Sequence, residues 1–253
     1  YFMLDASDKH LGFNHLNQEC YNGYGRTINI DLPTLVPLSP DNLEENNTTF
    51  VNIINSAQGD RLSGSYQSNL GYFSSMSVRD EVSKTTPKEY FESKQKNFSF
   101  PISFTNTGID SLSSYDNPIA LHYDFEFEPE KEELIYFNPM FGNAQKENPF
   151  KVADRKYPVE MPYKVVDNYI LMMDIPKGYE VDDLPKSAKV SLNGTDGFFQ
   201  YMIAKQDNKI QLMVKTKLNR ATFDPEDYSS LRDFFALIVK KQNEPIVFKK
   251  IKN

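Results

Sequence analysis

The sequence predicts an α+β fold made mainly of antiparallel β-strands: two β-rich, sandwich-like domains, each with helices packed on one face. Three observations carry this. Short apolar runs with period-two alternation recur along the chain, bounded by Gly, Pro, Asn and Asp. Few stretches carry helix-start signals or helical periodicity. The 19 Phe and 15 Tyr among 253 residues supply a core, since each buried ring removes roughly 150–250 Å² from water.

Residues 1–6 read as the end of an apolar strand, and 7–23 as a polar loop closed by an Asn22-Gly23 turn. Thr27-Ile28-Asn29-Ile30 alternates as a short strand, and 33–47, with three prolines, reads as linker-like. Runs at 49–57 and 62–72 around Gly59-Asp60 predict a hairpin. A short helix follows near 74–84. Thr86-Pro87-Lys88-Glu89 then forms a capping box with Pro at the first helical position, predicting a helix from 87 to about 96. Between 117 and 128, Leu121, Tyr123, Phe125 and Phe127 alternate with His122, Asp124, Glu126 and Glu128, a strand with one wet face. A further apolar run at 134–138 is broken by Asn138-Pro139.

The polar segment 142–149 is placed as the domain boundary. Beyond it strands are predicted at 157–165, 168–175, 188–193, 198–206 and 209–218, the last two joined at Asp207-Asn208. Asp224-Pro225 opens a helix near 225–242, whose apolar stripe is Tyr228, Leu231, Phe235 and Ile238, widened by Phe234 and Leu237. Residues 246–250 close the chain as a strand. This gives three units: 1–25, 26–145 with helices near 74–97, and 146–253.

The net charge of −7, from 28 basic and 35 acidic residues, lacks the basic stripe that a nucleic-acid groove needs. Cys20 stands alone, so no disulfide within the chain and no Cys-based zinc site is expected. No run of about 18 apolar residues predicts a membrane span. The acidic series Asp124 to Glu133 lacks the spacing of a calcium loop and reads as a solvated strand face. No glycine-rich phosphate loop or Gly-x-Ser-x-Gly elbow occurs, and no cofactor or metal site is expected. Cys20 and His15 share one loop and could pair in principle, but a polar loop holds such a pair poorly. His10 and His15 are not at helical ligand spacing, and His122 reads as a surface imidazole.

Two groups of residues carry a family resemblance. Leu4-Asp5-Ala6-Ser7-Asp8, Leu11-Gly12-Phe13 and Cys20-Tyr21-Asn22-Gly23 resemble the end of a bacterial transglutaminase-like (papain-like, Cys-His-Asp) domain. Asn148-Pro149-Phe150, Arg155-Lys156-Tyr157-Pro158-Val159, Ile175 through Val181, Leu184-Pro185 and Tyr228 through Val239, up to Glu244, are similar to the domain of unknown function that follows it in large Gram-negative envelope proteins. The resemblance implies that Asp5 is the triad acid, with Ser7 where Thr is usual. The nucleophilic Cys and its His would lie before Tyr1, so Asp5 would be idle in this chain, and Cys20, after the Asp, is not the family nucleophile.

The chain is therefore expected to be a non-enzyme cut from a longer protein, in a periplasmic or other envelope setting. It would serve as an accessory region that positions the upstream catalytic domain or binds a polypeptide or envelope partner, for instance by strand addition at a sheet edge. Two alternatives stand beside this. One is a carbohydrate-binding β-sandwich, suited by the aromatic content but lacking Trp. The other is that the chain belongs to an intact cysteine protease or transglutaminase whose Cys and His lie upstream.

Overall fold

The computed structural model describes residues 2–28, 31–57 and 60–252. Asn29 and Ile30 of the expected 27–30 strand, and Gly59 of the expected turn, lie outside the described residues.

Residues 2–6 are irregular rather than a strand, with Phe2 and Leu4 exposed and no neighbouring strand to take up their backbone groups. A 3-10 turn at Gln18–Cys20 leads to a small antiparallel hairpin, β1 (Gly23–Arg26) and β2 (Leu35–Leu38). The strand thus ends before Thr27, whose N–H bonds the Thr34 carbonyl. The Pro-containing stretch 33–47 is not a linker. Pro37 sits in β2, Pro40 opens a 3-10 turn capped by Ser39, and β3 (Glu44–Asn55) has already begun.

β3 and β4 (Leu62–Asn69) form the expected hairpin. Helices α1 (Tyr72–Lys84) and α2 (Pro87–Lys96) follow. The Glu89 N–H donates to Thr86 Oγ1 (3.2 Å) and the Thr86 hydroxyl donates to the Glu89 carboxylate (2.9 Å), which fixes the start of α2. β5 (Ile102–Asp110) is additional to the expected elements. β6 (Ala120–Phe127) buries Leu121, Tyr123, Phe125 and Phe127, and β7 (Leu134–Phe137) stops at Asn138-Pro139.

The second half contains β8 (Val159–Glu160), β9 (Lys164–Asp174), β10 (Tyr179–Asp183), β11 (Ala188–Leu192), β12 (Gly197–Gln206), β13 (Lys209–Leu218) and β14 (Thr222–Phe223). The run at 157–165 is split by a turn into β8 and the start of β9. The 3-10 turn Pro225–Asp227 leads into α3 (Tyr228–Gln242), which buries Tyr228, Leu231, Phe234, Phe235 and Ile238, and β15 (Ile246–Lys250) closes the chain.

The α+β class holds, and strands from both sides of 142–149 share one sheet. Its order is β11-β12-β13-β9-β3-β4-β6-β5, every pair antiparallel except the central β3–β9, which runs parallel from Glu44↔Lys164 to Ile53↔Met173. A three-stranded sheet, β10-β15-β7, packs on the same face as the helices: Phe127 of the large sheet lies 6.4 Å from Phe137 of the small one. One hydrophobic cluster runs through the interior, with Ile53, Phe199, Tyr201, Ile210, Phe223 and Phe248 fully buried. Each such Ile or Phe side chain contributes roughly 1.5–3 kcal/mol of transfer free energy.

Candidate functional site

Asp5 lies in the irregular segment that precedes β1. Its Oδ1 accepts the Ser7 N–H (2.8 Å), a local turn typical of Asp. Its Oδ2 accepts the Asn17 N–H (2.9 Å) and the thiol of Cys20 (3.6 Å). Asn17 in turn caps the 3-10 turn that carries Cys20, accepting the Glu19 N–H at 3.1 Å. The sequence thus closes a loop on one carboxylate. The Asn17 N–H and the two donors of Ser7 hold Asp5 down to about 2. Partial burial, then the neighbouring Asp5 carboxylate, push the Cys20 thiol up. The pair is an ionised acid beside a neutral thiol. So weak a base does not generate a thiolate.

The histidines are engaged elsewhere. His15 stacks on Tyr72 at 4.0 Å with its Nδ1 2.9 Å from the Phe13 carbonyl. His10 is buried edge-on to Tyr115, with its Nδ1 3.7 Å from the Asp8 carboxylate. His122 sits on the outward face of β6, 3.5 Å from Asp110. The structure therefore joins Cys20 to Asp5, a contact that the sequence did not suggest, and gives His15 a different partner from the Cys20 considered for it.

The segment is fastened to α1 and to the loop 111–117 rather than to a sheet. The Gly12 N–H donates to the Tyr72 hydroxyl (2.7 Å) and the Phe13 N–H to Asp116 (2.7 Å). A Cβ on Gly12 would fall 2.4 Å from that carboxylate and 2.8 Å from the Tyr115 carbonyl, so only glycine fits. Arg79 of α1, 2% exposed, donates to the carbonyls of Ser111, Leu112, Ser114 and Asn117 and so shapes the loop. Burial lowers its basicity. Glu45 of β3, 1% exposed, caps α1 by accepting the N–H groups of Phe73 (3.2 Å) and Ser74 (2.7 Å). Its negative charge faces the positive end of the helix dipole. Arg79 and Glu45 gave no signal in the sequence, because each acts on residues more than 25 positions away.

An apolar cavity of about 380 Å³ lies between the two larger sheets, walled by Phe98, Phe100, Phe127, Phe137, Phe141 and Phe248. Among the described residues no three of His, Cys, Asp and Glu converge to hold a metal ion, and no helix is long and apolar enough to cross a membrane.

Residues 133–248, from the end of the acidic loop into β15, match the family model described as a domain of unknown function with a solved structure, DUF3858. The segments from Asn148 to Glu244, read above as similar to a domain of unknown function, fall inside the match, and Asp5 falls outside it. No curated protein matches the chain. Among solved structures, the chain is similar to one described as a "putative protease" from Parabacteroides distasonis ATCC 8503, with 18% identity, 39% of this chain covered and a TM-score of 0.35. The chain spans 19% of that protein's length.

Proposed function

We propose that the chain is a non-catalytic accessory region that holds a transglutaminase-like catalytic domain in place, in a periplasmic or envelope protein. The observation that carries this reading is the anchorage of Asp5: its carboxylate is fixed by Asn17 and Ser7, and its segment is bolted to α1 through Tyr72 and to the loop through Asp116. In the longer protein the acid would orient a histidine supplied by the preceding domain, and the β-rich body would be its support. Cys20, kept neutral, has no part in the chemistry.

The test is acyl transfer and hydrolysis on a glutamine-containing peptide, measured for this chain alone and for the longer protein. The chain alone should be inactive. In the longer protein Cys20→Ser should leave the rate unchanged, whereas Asp5→Asn should lower kcat by about 10⁴-fold, as loss of an orienting acid does. Activity in the isolated chain that vanishes in Cys20→Ser would sink the reading.

A further inference from the structure

The face of the eight-stranded sheet opposite the helices carries an apolar row. Met202, Met213, Ile170 and Phe50 are direct cross-strand partners on four consecutive strands, β12, β13, β9 and β3. Met172 and Ile54 extend it along the strands. Phe50, Ile54, Met172, Met202 and Met213 are each 42–48% exposed, although the alternation that buries Val51, Ile53, Leu171 and Leu212 on the other face gave ample choice of polar residues here. Scattered exposed hydrophobes are ordinary, but a contiguous row in register marks a contact surface.

Charge divides the same face. The outward positions of β11 and β13 carry Lys189, Lys209, Lys215 and Lys217, and those of β5 and β6 carry Asp110, Asp124 and Glu126. Among the described residues Lys189, Lys215 and Lys217 have no carboxylate within ion-pair distance, whereas Lys209 pairs with Asp174, Asp110 with His122, and Glu126 with Arg61. A sheet basic at one edge and acidic at the other is complementary to itself when turned about a two-fold axis parallel to its strands.

The geometry points to a second copy of this chain as the partner, packed sheet on sheet. An axis between β9 and β3 lays each of these central strands over the other in the second copy, so that Phe50 meets Ile170 twice. The ladder places Lys189, Gln200, Lys215, Asn168, Thr48, Asn69, Ala120 and Asp110 in one row across the sheet. The same axis therefore sets Lys189 over Asp110 of the second copy at both ends. Such an isologous contact keeps the strands of the two sheets nearly aligned, as twisted sheets prefer. With strands about 4.8 Å apart and about 3.3 Å per residue, eight strands of five residues span roughly 600 Å² per copy. The pair then reaches about 1,200 Å², where stable interfaces begin. The three methionines on each side adapt their shape to the opposing surface.

Sedimentation equilibrium of the 253-residue chain decides the matter. The wild-type chain should be a dimer at micromolar concentration. Phe50→Asp should raise the dissociation constant at least about tenfold, with the far-ultraviolet circular dichroism spectrum unchanged. Met213→Glu is a second arm, should Phe50→Asp lose its fold. Lys189→Glu should weaken the dimer, and Lys189→Glu combined with Asp110→Lys should restore it. A wild-type chain that stays monomeric, or a dimer indifferent to these substitutions, overturns the proposal.

Discussion

The thiol of Cys20 donates to the Asp5 carboxylate across 3.6 Å, on the oxygen that also accepts the Asn17 N–H. A carboxylate so placed makes the neighbouring thiolate harder to form. Iodoacetamide should therefore alkylate Cys20 more slowly near neutral pH than it does an exposed cysteine. Asp5→Ala should quicken the reaction, although not to the exposed rate, because burial is the larger cause of the shift. An alkylation pH profile identical in Asp5→Ala and wild type would show that the contact has no hold on the thiol.

Asp5 itself should titrate near 2 instead of its ordinary 3.8. The sign follows from linkage: a carboxylate depressed in the folded state favours the folded loop at every pH above its unfolded value. That contribution is lost as pH falls from there through the folded value. Carbonyl-carbon NMR of Asp5 gives the midpoint. The protection of the Ser7 and Asn17 amides from hydrogen exchange, taken relative to their intrinsic rates at each pH, should fall over the same window.

Glu45→Ala removes the cap of α1 and leaves the N–H groups of Phe73 and Ser74 without their acceptor. The expected loss is about 1–3 kcal/mol, read as a lower urea midpoint at unchanged m-value. Glu45→Gln, which keeps one acceptor oxygen, should lose less.

Arg79→Lys keeps the charge but not the fork that reaches four carbonyls at once. A loss of about 2–3 kcal/mol is expected. Amide exchange in 111–117 should rise, and with it the mobility of Gly12 and Phe13, which rest on Tyr72 and Asp116.

At Gly64 in β4 a Cβ would lie 1.9 Å from the Asn52 carbonyl oxygen and 2.7 Å from the Phe125 ring. Gly64→Ala must push β4 away from β3, and the loss should exceed the roughly 1–3 kcal/mol typical of overpacking. Thermal denaturation checks it, with Ser65→Ala on the open face as the near-neutral comparison.

Elements governed by their own residues were legible in the sequence. The alternation of β6, the Thr86–Glu89 box of α2 and the Tyr228-to-Ile238 stripe of α3 are local patterns, and each lies where it was read. β5 was missed because Thr105-Asn106-Thr107-Gly108 is polar, with a register shift there and Asn106 at φ +50°. β10 was missed because acidic residues interrupt it and it shifts register between Val181 and Asp183. Asp5 stands out in the sequence by resemblance alone. Its partner Cys20, fifteen residues on, is brought to it by the turn that Asn17 caps.

The central pair β3–β9 joins residues 120 positions apart, as in the Asn47–Asp167 contact across it. A chain leaving the ribosome at about 5–20 residues per second therefore shows β3 roughly ten seconds before β9 exists. In that interval β3 is paired with β4 on one side and open on the other, an edge that any stray strand can join. Asn46, Asn47, Thr48 and Thr49 fill its first half, but Phe50, Val51, Ile53 and Ile54 fill its second without charge, proline or glycine, and that half is the template on which aggregation would start. Contacts of such span form slowly, so the halves of the sheet mature separately and meet last, at a seam that synthesis leaves exposed.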